Sequence, residues 1–492
     1  MIRTRICLYL LLLTPLAVYW QTIFTDYGFR DDYSNMREAR EEPGKLVRFT
    51  ASHGRPLYGA MLETTFANLD AIETLHWLRL SSVLLMTLLG LALWRQLYQS
   101  GWTEIEAAVV GLGVALLPAA QVVTSWAIAW PHALALLLAL AGFSAVETEL
   151  ERGGLKRAIA LVGGILIYTL AALVYQSNAL FAVVPIVAVL LVRSGREPAS
   201  DVRWTLMHLS SLFAGLLISF LLVKLLFASG IFQESGRMQF EADPLTKLGW
   251  FFWQPVPNAL ALYALRDDFH AGEIVFWMAV LITSGVIGWA FRSEVARSGS
   301  KPKLLLCVVA MPFLAHVVSL LAAERSIGYR TLFALSGLVL VLLVYSLRSL
   351  RVGGKIAAGV YQTGLIAIIL LAAFSAHFNA RRLFAQPQNL EWEIVRNAVM
   401  RVDFAKPASV YIITPTQEDR STERVFSDEF GALTSDSDWM PKEMFKAALH
   451  ERFPGKLPPR AKYTVTVGRG VPEAKAYDLV IDMRRLKEQR EP

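Results

Sequence analysis

The chain has 492 residues, 54% hydrophobic and 18% charged, with a formal net charge of +7. Ordinary globular domains carry about 25% charged residues, so the composition excludes a string of soluble domains. In so apolar a chain the positive excess points to loops beside anionic lipid rather than to nucleic acid.

The N-terminus is basic through Arg5 and then apolar from Ile6 to Phe24, with no small-x-small cleavage site. This predicts an uncleaved first span. Apolar blocks long enough to cross ~30 Å of hydrocarbon follow near 77–95, 105–122, 127–146, 157–175, 177–192, 204–228, 273–291, 303–322, 331–347 and 355–376. The expectation is therefore an all-α polytopic membrane protein of about eleven transmembrane helices over 1–376, followed by a soluble domain at 377–492.

Alternate loops carry the positive charge: Arg3 and Arg5, then Arg95, Arg152 to Arg157, Arg193 to Arg203, Arg292 to Lys303, and Arg348 to Lys355. By the positive-inside rule these loops face the cytoplasm, and an odd span count puts the C-terminus outside. In a bacterium that side is the periplasm and the membrane is the inner one. The outer side holds two long loops, 25–76 and 229–272, and the tail. Cys7 and Cys307 both lie in apolar segments, so no disulfide framework is expected.

In the tail, Ser409–Thr414, Tyr463–Val467 and Tyr477–Asp482 read as strands, and Lys442–Phe453 as an amphipathic helix ending before Pro454-Gly455. A small α/β domain is expected there. It shows no nucleotide loop, metal-ligand spacing or nucleophile motif.

The first outer loop is the most informative stretch. It runs Thr25-Asp-Tyr-Gly-Phe-Arg-Asp-Asp-Tyr-Ser34, with Ala51-Ser-His-Gly-Arg-Pro-Leu-Tyr58 further on. Asp31 and Asp32 are adjacent carboxylates just above the membrane. A carboxylate there can take a proton from an incoming hydroxyl or hold a divalent cation. Asp-Asp pairs are also common as solvated loop residues or helix caps. Asp267-Asp268 is the same dipeptide without the position, and reads as structural.

A lipid-linked phosphate leaving group would need cations. Arg55, Lys224, Arg325 and Arg330 are available on the outer side, where positive residues are scarce. Tyr175 and Gln176 sit at an outer turn. Trp250-Phe-Phe-Trp253 reads as an aromatic belt or a polyprenyl-chain entry, and His316 as a helix-to-helix hydrogen bond rather than a proton relay.

On Asp31-Asp32, Gly54-Arg55, the Tyr175-Gln176 turn and Arg330-Thr331, the spanning region resembles the GT-C superfamily of polytopic membrane glycosyltransferases. Within it, the resemblance is to the serotype-converting O-antigen glucosyltransferases. It implies a polyprenyl-phosphate-linked sugar donor, glucose in that group, and an acidic general base. The acceptor is open: O-antigen in lipopolysaccharide, another surface glycan, or a protein. Asp31 is expected as the base and Asp32 as the partner of Arg55. Arg325, Arg330 and Lys224 are expected to neutralise phosphate. Two rivals stand beside this reading. A transporter or flippase of lipid-linked glycans predicts ionisable residues across several helices, which the sequence lacks. A non-catalytic envelope assembly protein predicts dispensable aspartates.

Overall fold

A computed structural model describes residues 2–149, 154–193, 198–267, 274–298, 306–325, 328–352, 355–401, 408–416, 419, 429–453, 463–473 and 476–486. Asp268, Lys301 and Lys303 lie outside the described residues, as does the start of the apolar block at 303–322.

The first helix, α1 (Ile2–Phe24), is mostly apolar after its basic start. At 1.5 Å per residue its 23 residues reach about 35 Å. The loop at 25–76 then folds into three short helices, α2 (Asp32–Glu41), α3 (Lys45–Ser52) and α4 (Pro56–Phe66). The bundle continues with α5 (His76–Gln99), α6 (Glu104–Ala115), α7 (Pro118–Ser125), α8 (Trp130–Glu149), α9 (Leu155–Ala179), α10 (Val183–Val192) and α11 (Pro198–Ala228). The long loop at 229–272 holds α12 (Pro244–Trp253) and α13 (Pro255–Leu260), and after it come α14 (Ile274–Ser298), α15 (Met311–Ala315), α16 (Val317–Leu321), α17 (Phe333–Arg348) and α18 (Lys355–Asn379). Helices α5 and α6 cross closely because Gly90 and Gly111 face each other: a Cβ on either would meet the other's carbonyl oxygen. Small residues give membrane helices this approach.

The chain is a multi-pass membrane protein, but eleven separate long spans are not what the structure shows. Among the described residues, seven helices are long and apolar enough to cross, or eight if α6 and α7, bent by 49°, form one span. Two physical causes account for the difference. The blocks at 157–175 and 177–192 fall in one run, Leu155–Val192, with extended backbone at Tyr175 (φ −157°, ψ 109°). The blocks at 303–322 and 331–347 yield only shorter apolar helices, Leu306–Ala315 and Phe333–Arg348.

The tail follows α18 through a π-helical turn into α19 (Gln386–Val399). Three parallel strands form a sheet in the order β2 (Tyr463–Gly468), β1 (Ala408–Ile413), β3 (Leu479–Asp482). Helix α20 (Met440–Arg452) packs on it. These elements match the expected strands and helix to within a residue or two.

One hydrophobic core runs from the bundle through the first loop into the tail. Phe29 is its joint. Its ring stands edge-on to Trp126 of the bundle (5.1 Å) and Phe384 of the tail (5.6 Å). Arg79, fully buried, fixes the exit of α1. It donates to the carbonyls of Thr22, Tyr27 (2.7 Å) and Thr25 (2.9 Å) and lies 4.1 Å over the Tyr27 ring. A helix C-terminus leaves such carbonyls unpaired and carries partial negative charge, so a cation answers both needs.

Candidate functional site

The two adjacent aspartates are not equivalent. Asp32 is fully buried. One carboxylate oxygen accepts from the Phe29 amide (2.9 Å) and the other from the Ile128 amide (3.0 Å). It thereby pins the first loop to the turn before α8. The expected pairing of Asp32 with Arg55 does not form, because both Asp32 oxygens are already aimed at backbone amides. Burial pushes the Asp32 carboxyl up to about 7, against the pull of those two amides and Arg79.

Asp31 occupies the N-cap position of α2, yet its side chain makes no capping hydrogen bond. The helix-cap role that commonly occupies such a residue is therefore unused. Burial raises its carboxyl above the ordinary range. Arg330, Arg30 and Arg237 act against this, and Glu38 adds to it. The residue before it, Arg30, has φ +45°, a conformation unfavourable for a side-chain-bearing residue. Its amide is held by the Thr434 hydroxyl of the tail at 2.9 Å. Thr434 in turn donates to Gln388 (2.7 Å), and its own amide donates to buried Glu391 (2.9 Å). The tail thus clamps the backbone that presents Asp31.

Near this carboxylate, across Arg330 and Arg237, is a cavity of about 450 Å³. Its polar end holds His53, Arg55, Gln176, Arg237, Glu324 and Arg330. Its other wall is a face of α11, with Phe213, Leu216, Leu217, Phe220 and Val223. Asp31 does not line the cavity, but both Arg330 and Arg237, which do, act on its charge.

Each polar side chain is set by local structure. The Arg55 guanidinium lies 4.2 Å over the Tyr175 ring and donates to Gln176 Oε1 at 3.4 Å. Gln176 Nε2 donates to the Gly54 carbonyl at 2.5 Å. Gly54 has φ +79°, and a Cβ there would press on Met238 and Gln176 at 3.0–3.1 Å. The Gly-Arg pair read from the sequence is therefore a left-handed turn that aims the arginine. Tyr175 is the kinked residue of α9, so its ring leaves the helix direction and reaches Arg55. Arg330 lies 4.8 Å over the Trp126 ring, with a guanidinium nitrogen 3.5 Å from buried Glu429. His53 Nδ1 meets the Phe49 carbonyl at 2.8 Å. Burial, with Arg237 and Arg55 nearby, holds that imidazole below its ordinary pKa.

Of the residues singled out in the sequence, the structure brings Arg55, Tyr175, Gln176 and Arg330 together at this cavity, with Asp31 near. It does not bring Lys224 or Arg325 into the lining. Lys224 Nζ is 2.5 Å from Glu234. Arg325 donates to Glu241 at 3.1 and 3.2 Å. Buried His316 stacks on Phe251 at 5.7 Å, and neither ring nitrogen has a hydrogen-bond partner among the described residues. The expected helix-to-helix bond is therefore absent among them. In the aromatic cluster, Phe252 and Trp253 are exposed while Phe251 is buried. Among the described residues no three His, Cys, Asp or Glu side chains converge as a metal-ligand set.

Sequence reading missed His53 and Arg237. His53 carried a local signal, lying one residue before Gly54-Arg55. Arg237 carried none. Its loop is placed by an antiparallel bridge between Phe240 and Ala322 and by the Ser235 amide donating to the Ser52 carbonyl at 3.0 Å.

The sequence matches no protein-family model and no curated protein. Its fold does match solved structures. The oligosaccharyltransferase of Archaeoglobus fulgidus, tethered to an acceptor peptide containing the NVT sequon, superposes with a TM-score of 0.51 at 12% identity, covering 95% of this chain and 64% of that one. The apo form of the same enzyme gives 0.50 at 11% identity, with the same coverage. The chain spans just under two thirds of the length of these neighbours. The likeness is one of fold.

Proposed function

We propose that the protein is a membrane glycosyltransferase that moves a sugar from a polyprenyl-phosphate donor to an acceptor hydroxyl on the outer face. The carrying observation is the cavity that joins an apolar face of α11 to three arginines near an uncommitted carboxylate. A polyprenyl phosphate has those two chemistries in one molecule: an apolar chain for α11 and an anion for Arg55, Arg237 and Arg330. In the reaction, Asp31 takes the acceptor hydroxyl proton. The hydroxyl oxygen bonds to the anomeric carbon, and the bond from that carbon to the phosphate oxygen breaks. The electron pair leaves on polyprenyl phosphate, whose added charge the arginines stabilise. Asp32, Arg79 and Thr434 hold the frame.

The finer reading follows the motif resemblance. It is a serotype-converting type of enzyme in a bacterial inner membrane, with a cytoplasmic N-terminus, a periplasmic domain at 377–492, glucose as the sugar and a surface glycan such as O-antigen as acceptor. The basic residues ahead of α1, Arg3 and Arg5, support a cytoplasmic N-terminus. A phosphatase reporter fused after Asp482 should be active and one after Lys301 inactive; the reverse would put Asp31 on the wrong side. The function is tested by mass spectrometry of surface glycans from a deletion strain and its parent. A mass difference of one sugar is expected, and identical glycans would reject the proposal.

A further inference from the structure

We infer that Glu429, in the tail, is a positioning residue for the donor phosphate: it holds the Arg330 guanidinium in the cavity, so that the tail completes the donor site. The inference deepens the glycosyl-transfer reading and rests on it for the identity of the anion.

The two residues meet because their chain neighbours do. The Tyr329 and Phe430 rings stand edge-on, with centroids 5.3 Å apart, and both are buried. Each ring is fixed from its own side. The Tyr329 hydroxyl accepts from the Arg266 amide at 3.1 Å. Phe430 packs edge-on against Phe384 at 5.1 Å, and the Gly431 amide donates to the Leu383 carbonyl at 3.1 Å. Arg330 follows Tyr329 in a single helical turn (Tyr329–Thr331), and Glu429 precedes Phe430. The ring pair thus brings Nη1 of Arg330 within 3.5 Å of a Glu429 carboxylate oxygen.

Burial gives the two side chains different roles. That of Glu429 is wholly buried, while that of Arg330 is 28% exposed and lines the cavity. Among the described residues neither Glu429 oxygen has a hydrogen-bond partner. The carboxylates that hold the frame look different. Asp32 accepts from two backbone amides, and Glu391 from the amides of Thr434 and Ser435, both at 2.9 Å. A buried carboxylate needs hydrogen bonds or a cation. For Glu429 the structure supplies the cation, on a side chain that faces the cavity.

The guanidinium is therefore held from two sides, by Glu429 at Nη1 and by the Trp126 ring 4.8 Å from its Cζ. A fork fixed before the donor arrives removes an ordering cost from phosphate binding. Glu429 also offsets part of the Arg330 charge, which opposes this gain. Position prevails, because recognition by a fork depends on direction and Arg55 and Arg237 supply further charge at the same cavity.

The test titrates polyprenyl phosphate into the full chain in detergent, for the parent, Glu429→Gln, Arg330→Gln and the double variant. Glu429→Gln should weaken binding about three- to tenfold and should add nothing in the Arg330→Gln background, since an effect carried by Arg330 needs it. A frame role would add in full in both backgrounds. Glu429→Asp, which keeps the charge but shortens its reach, takes the same place in the cycle should the glutamine variant fail to accumulate. Phenylglyoxal modification, located by mass spectrometry, reads the contact without any donor: Arg330 should react several-fold faster in Glu429→Gln. Unchanged or tighter binding in Glu429→Gln, full additivity in the double variant, or unchanged Arg330 reactivity would overturn the inference. A parent that does not bind polyprenyl phosphate, while Arg330 reactivity still responds to Glu429, would overturn the glycosyl-transfer reading and leave the Glu429 contact standing.

Discussion

The loops at 25–76 and 229–272 flank the same cavity but hold their cavity residues in different ways. The first is held by buried groups aimed at backbone: Arg79 on three carbonyls, Asp32 on two amides, the Tyr58 hydroxyl on the Ile128 carbonyl at 2.9 Å, and the Tyr27 hydroxyl on the Ser125 carbonyl at 2.7 Å. In the second, buried Lys247 donates to the carbonyls of Ala322 and Glu324 at 2.7 Å, but the exposed stretch that carries Arg237 is held at its surface, by the Lys224–Glu234 and Arg325–Glu241 pairs, one short bridge to Ala322 and the Ser235 amide on the Ser52 carbonyl. Exposed ion pairs contribute little, typically under about 1 kcal/mol. The cavity therefore has one rigid wall, carrying Arg55 and built by the loop that also presents Asp31, and one compliant wall carrying Arg237. A carboxylate that must meet a reacting hydroxyl needs the rigid side. A cation that only has to follow a phosphate can sit on the other.

Exchanging the two aspartates' amides breaks this comparison most sharply. Asp31→Asn should lower transfer from a synthetic polyprenyl-phosphate sugar by about 10²–10⁴-fold, the usual worth of a general base, with normal accumulation in membranes. Asp32→Asn should act through stability, since an amide cannot accept from both backbone N–H groups as the carboxylate does, and its accumulation should fall. If both variants accumulated normally and kept most of the parent rate, the first loop would carry neither frame nor chemistry.

The arginines come next. Arg330→Ala should reduce donor use by roughly 10–100-fold, more than Arg330→Lys, which keeps a charge but loses the fork. Part of the alanine effect comes from leaving Glu429 buried without its cation. Arg55→Ala avoids that complication and should raise the donor KM while leaving accumulation unchanged. Parent-like kinetics in Arg55→Ala would remove it from the phosphate site.

How much of this was legible beforehand differs by region. Apolar block length gave the membrane class, and alternation gave the strands of the tail, because both signals are local. The span count was not legible. Whether a block becomes one straight helix, half of a kinked run or a short helix depends on its neighbours. Asp31 stood out by its place just after the first span, and Arg55 and Arg330 because positive charge is scarce in the loops read as outer. The division of labour between Asp31 and Asp32 did not, since it depends on an amide at Ile128 and a hydroxyl at Thr434. Arg237 was invisible for the same reason, its loop being placed by residues far along the chain.

Gly54→Ala tests the joint between the rigid wall and the arginine. An alanine at φ +79° costs about 1–3 kcal/mol, and its Cβ presses on Gln176 and Met238. Gln176 is the residue that orients Arg55, so a several-fold rise in donor KM should accompany the loss of stability. Stability loss alone, with an unchanged KM, would show that the turn does not aim Arg55.

The smallest effect expected is a shift in pH dependence, and it reads the two walls separately. Transfer requires ionised Asp31, so the rate should rise with pH through its carboxyl pKa. Burial places that limb above the ordinary carboxylate value of about 3.9. Arg330 on the bundle side and Arg237 on the compliant wall both pull the pKa down, Arg330 more strongly, and Glu38 pushes it up. Removing a cation must move the limb to higher pH, and removing Glu38 must move it to lower pH. Arg330→Gln should therefore give the larger upward shift, Arg237→Gln a smaller one, and Glu38→Gln a shift in the opposite direction. Salt distinguishes the walls further. Screening acts on exposed charges more than on buried ones, so the Arg237 shift should fade at high ionic strength while the Arg330 shift persists. A limb that stays fixed in all three variants would mean that the titrating group is not Asp31.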